Sequence, residues 1–293
     1  MQRTPPAFRW YGGKTELAKK IIALMPNLPV YVEPYGGAAS VLLARKPAKS
    51  EVYNDLSLDV VNFFRMLQDK EKRKAIRMKL AFTPFAKAEY LKALDILRTS
   101  TNLDERSWAL FVAQNQSLHH AHAQNPGDWA RSKTSTGGMA NDVSRWWKKM
   151  GYFSFWIKRF ARVQIDCNDA FECIKYWDSK NTLFYIDPPY VTSTRQFKKR
   201  YKFEYTDAQH RALVRVLLSL EGAVVLSGYN TSIYAELELK GWDRKEFVLA
   251  NKSAGVIKHM RKRGKGSGAM YAPREEIIWR NPYCIMRKEE EKK

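Results

Sequence analysis

Four consecutive residues, Asp187-Pro188-Pro189-Tyr190, are the part of this 293-residue chain best equipped for chemistry. They follow Thr182-Leu183-Phe184-Tyr185-Ile186, an apolar run that reads as a buried strand, and the prolines must end it because they cannot donate to a ladder. The Asp187 carboxylate and the Pro188 carbonyl are two oxygen acceptors with constrained directions. Each could take one hydrogen of an amine on an aromatic ring, localising a lone pair otherwise spread into the ring and readying it for attack on an electrophile. Tyr190 would add a flat face for an unstacked base, and Asp187 could receive the released proton. The plainer alternative is a strand-ending turn with a core tyrosine.

Two more loops follow apparent strands. Val30-Tyr31-Val32 stops at Glu33-Pro34-Tyr35-Gly36-Gly37, where glycines would let backbone approach a ligand. Glu51-Val52-Tyr53 ends at Asn54-Asp55, and an acid at that point can hold both hydroxyls of a ribose, or simply cap a helix. Lys14, beside Gly12-Gly13, could pair with a carboxylate or lie solvated at a helix start.

The elements that must position these loops are legible from periodicity. Leu17, Ile21 and Leu24 recur at helical spacing after Gly12-Gly13, and a further helix starts near Ser40. Helical pattern runs through Val60, Phe63, Phe64 and Leu67. From about Leu58 to Phe155 charged helical stretches alternate with a polar segment, Gln114 to Asn141, without strand-helix alternation. Alternation returns after Val163. Thr206 and Gln209 match a capping box for a helix carrying Leu213, Leu217 and Leu220, and Gly222 precedes the strand Ala223 to Ser227. One α/β sheet domain built from residues 1–57 and 157–293, with an inserted, mainly helical lobe over 58–156, is the simplest architecture. The ligand would sit at the carboxyl ends of the strands.

A formal charge of +21 implies a polyanionic partner, with affinity that falls as salt rises. The three cysteines, Cys167, Cys173 and Cys284, fit neither a zinc site nor a disulfide framework, and a reducing cytoplasm is expected. The N-terminus opens no apolar leader and no run reaches bilayer-spanning length, so no membrane partner is expected. A monomer is the default.

Phe8 to Lys14, Tyr31 to Ser40, Asn54-Asp55 and Asp187 to Tyr190, in that order, resemble the Dam-type family of DNA N6-adenine methyltransferases. Val225 to Tyr229 and Arg274 to Trp279 extend the likeness over nearly the whole chain. The resemblance implies a Rossmann-like class I domain that binds S-adenosyl-L-methionine (AdoMet) and a target-recognition lobe between the cofactor and catalytic motifs. It places Trp10, Lys14, Glu33, Pro34, Tyr35, Gly36, Gly37, Asp55, Asp169 and Asp187 around the cofactor. In it Lys14 lies near the AdoMet carboxylate, Asp55 holds the ribose and Asp169 accepts from the adenine amine. Asp187, Pro188 and Tyr190 form the catalytic set, which moves a methyl group to N6 of a flipped adenine. Two positions depart from the family: Ala39 stands where the first loop ends in glycine, and Ala170 follows the acid where an aromatic is usual, with Phe171 one place later.

Sequence readout is expected from the insert, where Gln114, Asn115, Gln116, His119, His120, His122, Gln124 and Asn125 cluster and Arg131, Lys133 and Arg145 lie nearby. The partner is then double-stranded DNA. The histidines have no cysteine or acidic companion, so no metal is expected. The tryptophans read chiefly as core, with one available as a wedge into the duplex. The same amine chemistry leaves N4-cytosine and an RNA adenine as alternatives, and a catalytically silent nucleic-acid-binding protein is the reading from another class. Motif order favours adenine in DNA, and intact Asp187 and Tyr190 favour an enzyme.

Overall fold

Strands that are apolar on both faces must be covered on both sides, and the chain builds that layering. The computed structural model describes residues 5–10, 12–118, 127–191, 204–249 and 274–292. Its main sheet contains β1 (Val30–Glu33), β2 (Ser50–Asn54), β5 (Val163–Asp166), β6 (Thr182–Ile186), β7 (Ala223–Gly228), β8 (Asp243–Leu249) and β9 (Arg274–Arg280). The order across it is β5-β2-β1-β6-β7-β9-β8. The first five of these are parallel, whereas β9 runs antiparallel to both β7 and β8. Strand order reverses at β1, which has β2 on one side and β6 on the other, so the switch-point crevice opens beyond the ends of β1 and β6. This is a Rossmann-like arrangement.

Period-two alternation sends neighbouring side chains to opposite faces. Tyr31, Tyr53, Leu183, Tyr185, Val225 and Ile278 join the core on one face, while Val32, Val52, Phe184, Ile186, Val224 and Trp279 join the other. The first face is covered by α1 (Ala18–Leu24), α2 (Ser40–Ala44), α3 (Leu58–Gln68), α6 (Leu103–Gln116) and α8 (Phe153–Phe160). The second is covered by α9 (Ala170–Trp177), α10 (Asp207–Ser219) and α11 (Ala235–Leu239). The Thr206–Gln209 capping box starts α10 as its sequence indicates.

Between β2 and β5 the chain is helical, adding α4 (Lys70–Ala81), α5 (Lys87–Thr99) and α7 (Asn141–Met150), with a small hairpin of β3 (Ser135–Thr136) and β4 (Met139–Ala140). These helices share the sheet's core. Phe64 of α3 stacks on Phe160 at 4.1 Å and meets Tyr53 edge-on at 5.0 Å. Phe63 stacks on Phe111 at 5.6 Å, carrying the same cluster outward into α6. Trp108, Trp146 and Trp156 are buried here, while Trp147 stays exposed.

The segment from Gln114 to Asn141 departs from the irregular loop its polarity suggests. Gln114, Asn115 and Gln116 form the last turn of α6 and are buried. Residues 116–118 then pair with 128–130. His119, His120, His122, Gln124 and Asn125 lie outside the described residues, as does the basic run Arg261 to Lys265. The C-terminal helix α12 (Pro282–Glu290) begins at an Asn281 cap and packs Cys284 into the core.

Candidate active site

A single crevice past the ends of β1, β2 and β6 is lined by Trp10, Lys14, Glu33, Pro34, Tyr35, Gly36, Gly37, Asp55, Asp169 and Asp187. All ten residues expected around a cofactor therefore share one cavity, although they come from distant parts of the chain. The parallel register explains the convergence, because β1 pairs with β2 and β6 side by side and the three following loops emerge at the same edge.

The loops are stitched together by Asn54, to which its sequence motif assigns no role of its own. Asn54 donates through Nδ2 to the carbonyls of Pro34 at 2.9 Å and Asn168 at 3.0 Å, and its Oδ1 accepts from the Asn168 amide at 2.8 Å. Its place beside Asp55 at the end of a strand was the available signal. Asp55 accepts from the Gly37 amide at 2.8 Å and the Ser57 amide at 2.8 Å, so it braces the first loop as well as facing the cavity. Asp169 caps α9 by accepting from the Phe171 amide at 2.8 Å.

The glycines line the cavity and are required by packing as well. A Cβ on Gly36 would lie 2.1 Å from Cε2 of Tyr53, whose hydroxyl donates to Gly37 O at 2.6 Å. Gly37 has φ +48 and sits against the Trp10 indole, 2.8 Å from its Nε1 to an added Cβ. Ala39 holds the left-handed conformation too, at φ 54 and ψ 36, so the backbone keeps a glycine-like turn although the residue has changed.

At the floor of the crevice Lys14 is not a solvated helix-start lysine. It precedes α1, and its Nζ donates to Gly12 O at 2.7 Å and to both oxygens of Asp187 at 2.8 and 2.9 Å. Glu276 of β9 approaches the same ammonium at 3.4 Å. Tyr190 donates its hydroxyl to Glu276 and lies with its ring 4.8 Å from Lys14 Nζ and edge-on to Tyr229 at 4.4 Å. Its ring is buried and does not line the cavity, which differs from the open stacking face expected for it; the anchored hydroxyl draws the ring inward. Pro188 is buried at the strand end, and Pro189 lines the cavity.

Two carboxylates around one ammonium leave a formal deficit of positive charge in a buried place. Burial raises the pKa of Asp187 although the Lys14 ammonium pulls the other way, and burial likewise raises Glu276 against the same pull. Burial alone would lower Lys14, but the Asp187 and Glu276 charges outweigh it and raise it. Glu33 is also buried, accepts from the Tyr31 hydroxyl at 2.6 Å and is pushed up to about 8 by desolvation.

The residues expected to read bases fall into two groups. Asn115 donates to Ala7 O at 3.0 Å and Phe111 O at 2.9 Å, and Gln116 donates to Pro84 O at 2.9 Å and accepts from the Ala86 amide at 3.2 Å. These two are committed to internal bonds, whereas Gln114 lines the inner end of the crevice. Arg131 and Lys133 are exposed just before the β3–β4 hairpin, and Arg145 is exposed on α7 just after it, paired with Asp142.

No curated protein matches the chain. The family model for D12 class N6 adenine-specific DNA methyltransferases matches residues 10–263, a span that holds every cavity residue just described. The chain belongs to the D12 class N6 adenine-specific DNA methyltransferase family.

Proposed function

We propose that the crevice binds AdoMet, and that Asp187 receives the N6 amine of an adenine drawn out of the DNA duplex. Membership of the family makes the reaction N6 methylation of adenine in DNA, which decides against the cytosine and RNA alternatives and against a silent binding protein. The observation that carries the site assignment is the shared wall. Asp187, the glycine turn and Asp55 face one cavity, with an aromatic side chain at Trp10 and a second acid at Asp169.

The lining fits this cofactor chemically. Asp55 and Asp169 offer acceptors for ribose hydroxyls and an adenine amine, and Trp10 and Tyr35 offer apolar surface. Lys14 lines the same cavity, with its ammonium paired to Asp187 and Glu276. When bound, AdoMet supplies an electrophilic methyl group on a sulfonium. Asp187 and the Pro188 carbonyl accept the two amine hydrogens and aim the nitrogen lone pair. Asp187 would then take up the surplus amine proton released on transfer.

The partner is DNA, and residues 58–156 serve as the target-recognition insert. Arg131, Lys133 and Arg145 flank the exposed hairpin and suit phosphate contact. No helix among the described residues is long and apolar enough to cross a membrane. The assignment is tested by AdoMet titration of Asp55→Ala and by methyl transfer in Asp187→Ala. Loss of a charge-assisted bond, worth about 1.5–3 kcal/mol, weakens AdoMet binding by roughly 10- to 150-fold in the first. The second loses transfer while retaining DNA binding. Unchanged AdoMet affinity in Asp55→Ala would remove the ribose assignment.

A further inference from the structure

We propose that Glu276 is a positioning residue that takes the Lys14 ammonium when the target amine takes its place at Asp187. The inference rests on the assignment of Asp187 as the amine acceptor. Lys14 Nζ donates to both Asp187 oxygens, at 2.8 and 2.9 Å, so an incoming amine must compete with the ammonium for that carboxylate. The side chains of Lys14 and Glu276 are only 4 % and 6 % exposed, so the ammonium and its second carboxylate meet away from solvent, whereas Asp187 is 20 % exposed. An unpaired buried charge is strongly unfavourable, and the move needs a second anion within reach.

Glu276 meets that need. Its Oε1 already stands 3.4 Å from Nζ, beyond hydrogen-bond length but within ion pairing, and a small rotation of a flexible lysine end closes the gap. The bond from Lys14 to Gly12 O, at 2.7 Å, gives the ammonium a pivot during the change. The same Glu276 oxygen holds the Tyr190 hydroxyl, and the Tyr190 ring is the one over which Lys14 lies. Transfer of the ammonium from Asp187 towards Glu276 therefore opens the acceptor to the amine while the ammonium stays beside the Tyr190 ring. No bond is made or broken and no proton is moved in this step; an ion pair is exchanged.

The experiment is a double-mutant cycle on base entry in the full-length protein. A duplex with 2-aminopurine at the target adenine is titrated with protein in the presence of S-adenosylhomocysteine, and the fluorescence rise reports the extrahelical base. Glu276→Gln keeps the size and the acceptor for Tyr190 but removes the charge. It is expected to lower the fraction of base held in the site about tenfold, with Glu276→Asp recovering most of that loss. In a Lys14→Met background, where there is no ammonium to relocate, Glu276→Gln is expected to have little further effect. Base entry as in wild type for Glu276→Gln, or an equal drop with and without Lys14, overturns the proposal. Absence of any fluorescence rise in the wild type would instead count against base extrusion itself, and full methyl transfer by Asp187→Ala against the Asp187 assignment.

Discussion

An ammonium held between two carboxylates in a dry site satisfies one of them at the other's expense, and the chemistry of the crevice is set by which one holds it. Lys14, Asp187 and Glu276 form a connected set in which each charge shifts the others, and Tyr190 is tied to it through its hydrogen bond to Glu276. Glu33 is a separate case with a clear sign. Burial lifts its pKa to about 8, so its neutral form is favoured by folding. That contribution is fully present below the unfolded value and is lost as pH rises through about 8. Without cofactor, wild-type melting temperature should fall between pH 5 and 8.5, and Glu33→Gln, fixed in the neutral state, should fall less; parallel curves would refute the assignment. Gly36 supplies a steric prediction. Its added Cβ would stand inside the Tyr53 ring, so Gly36→Ala should cost about 1–3 kcal/mol or more in denaturant unfolding. A variant as stable as wild type would show that the ring can move aside.

At the scale of elements, the segment 5–10 is tied down by the helices that follow β2. Trp156 Nε1 donates to Pro5 O at 3.0 Å, Lys149 Nζ to Pro6 O at 2.8 Å and Ala7 O at 2.9 Å, and Arg9 reaches back to Ser117 O at 2.9 Å. Trp10 ends this segment and Lys14 lies four residues beyond it. Lys149→Met, which strips donors from two carbonyls, should cost about 1–3 kcal/mol in urea unfolding; no change in midpoint would mean that water replaces the ammonium. The loops of the crevice were legible because each motif ends an apolar run, and parallel strands bring such endings to one edge. Glu276 was not legible as a site residue. It lies on β9, an antiparallel strand entered from the end of the chain, and nothing in the local pattern of Arg274 to Trp279 says that one acid turns towards Lys14. Gln114 to Gln116 misled in the opposite direction. Their polarity suggests a surface loop, but Asn115 and Gln116 are polar because they close backbone bonds around α6. Tyr190 likewise carries a hydroxyl whose buried partner, 86 residues away, decides where its ring goes.

For the whole molecule, a charge of +21 must be read together with where the cations lie. The crevice is lined by acids as well as Lys14, so the excess positive charge lies elsewhere and suits a DNA substrate. Log affinity for DNA should fall linearly with log salt, and alanine at Arg131, Lys133 or Arg145 should lessen the slope by about 0.9 for each phosphate that is no longer neutralised. An unchanged slope in all three would move the duplex off the hairpin face. The assignment that matters most is Asp187 as the group that holds the adenine amine beside the cofactor turn and takes its proton. The direct measurement is single-turnover transfer from labelled AdoMet to duplex DNA, with identification of the modified nucleoside, for wild type and Asp187→Asn. With Asp187 in that role, the wild type yields N6-methyladenine and the variant transfers about 10²–10⁴ more slowly, with DNA affinity kept. Near wild-type transfer by Asp187→Asn, or label in a different nucleoside, would contradict it.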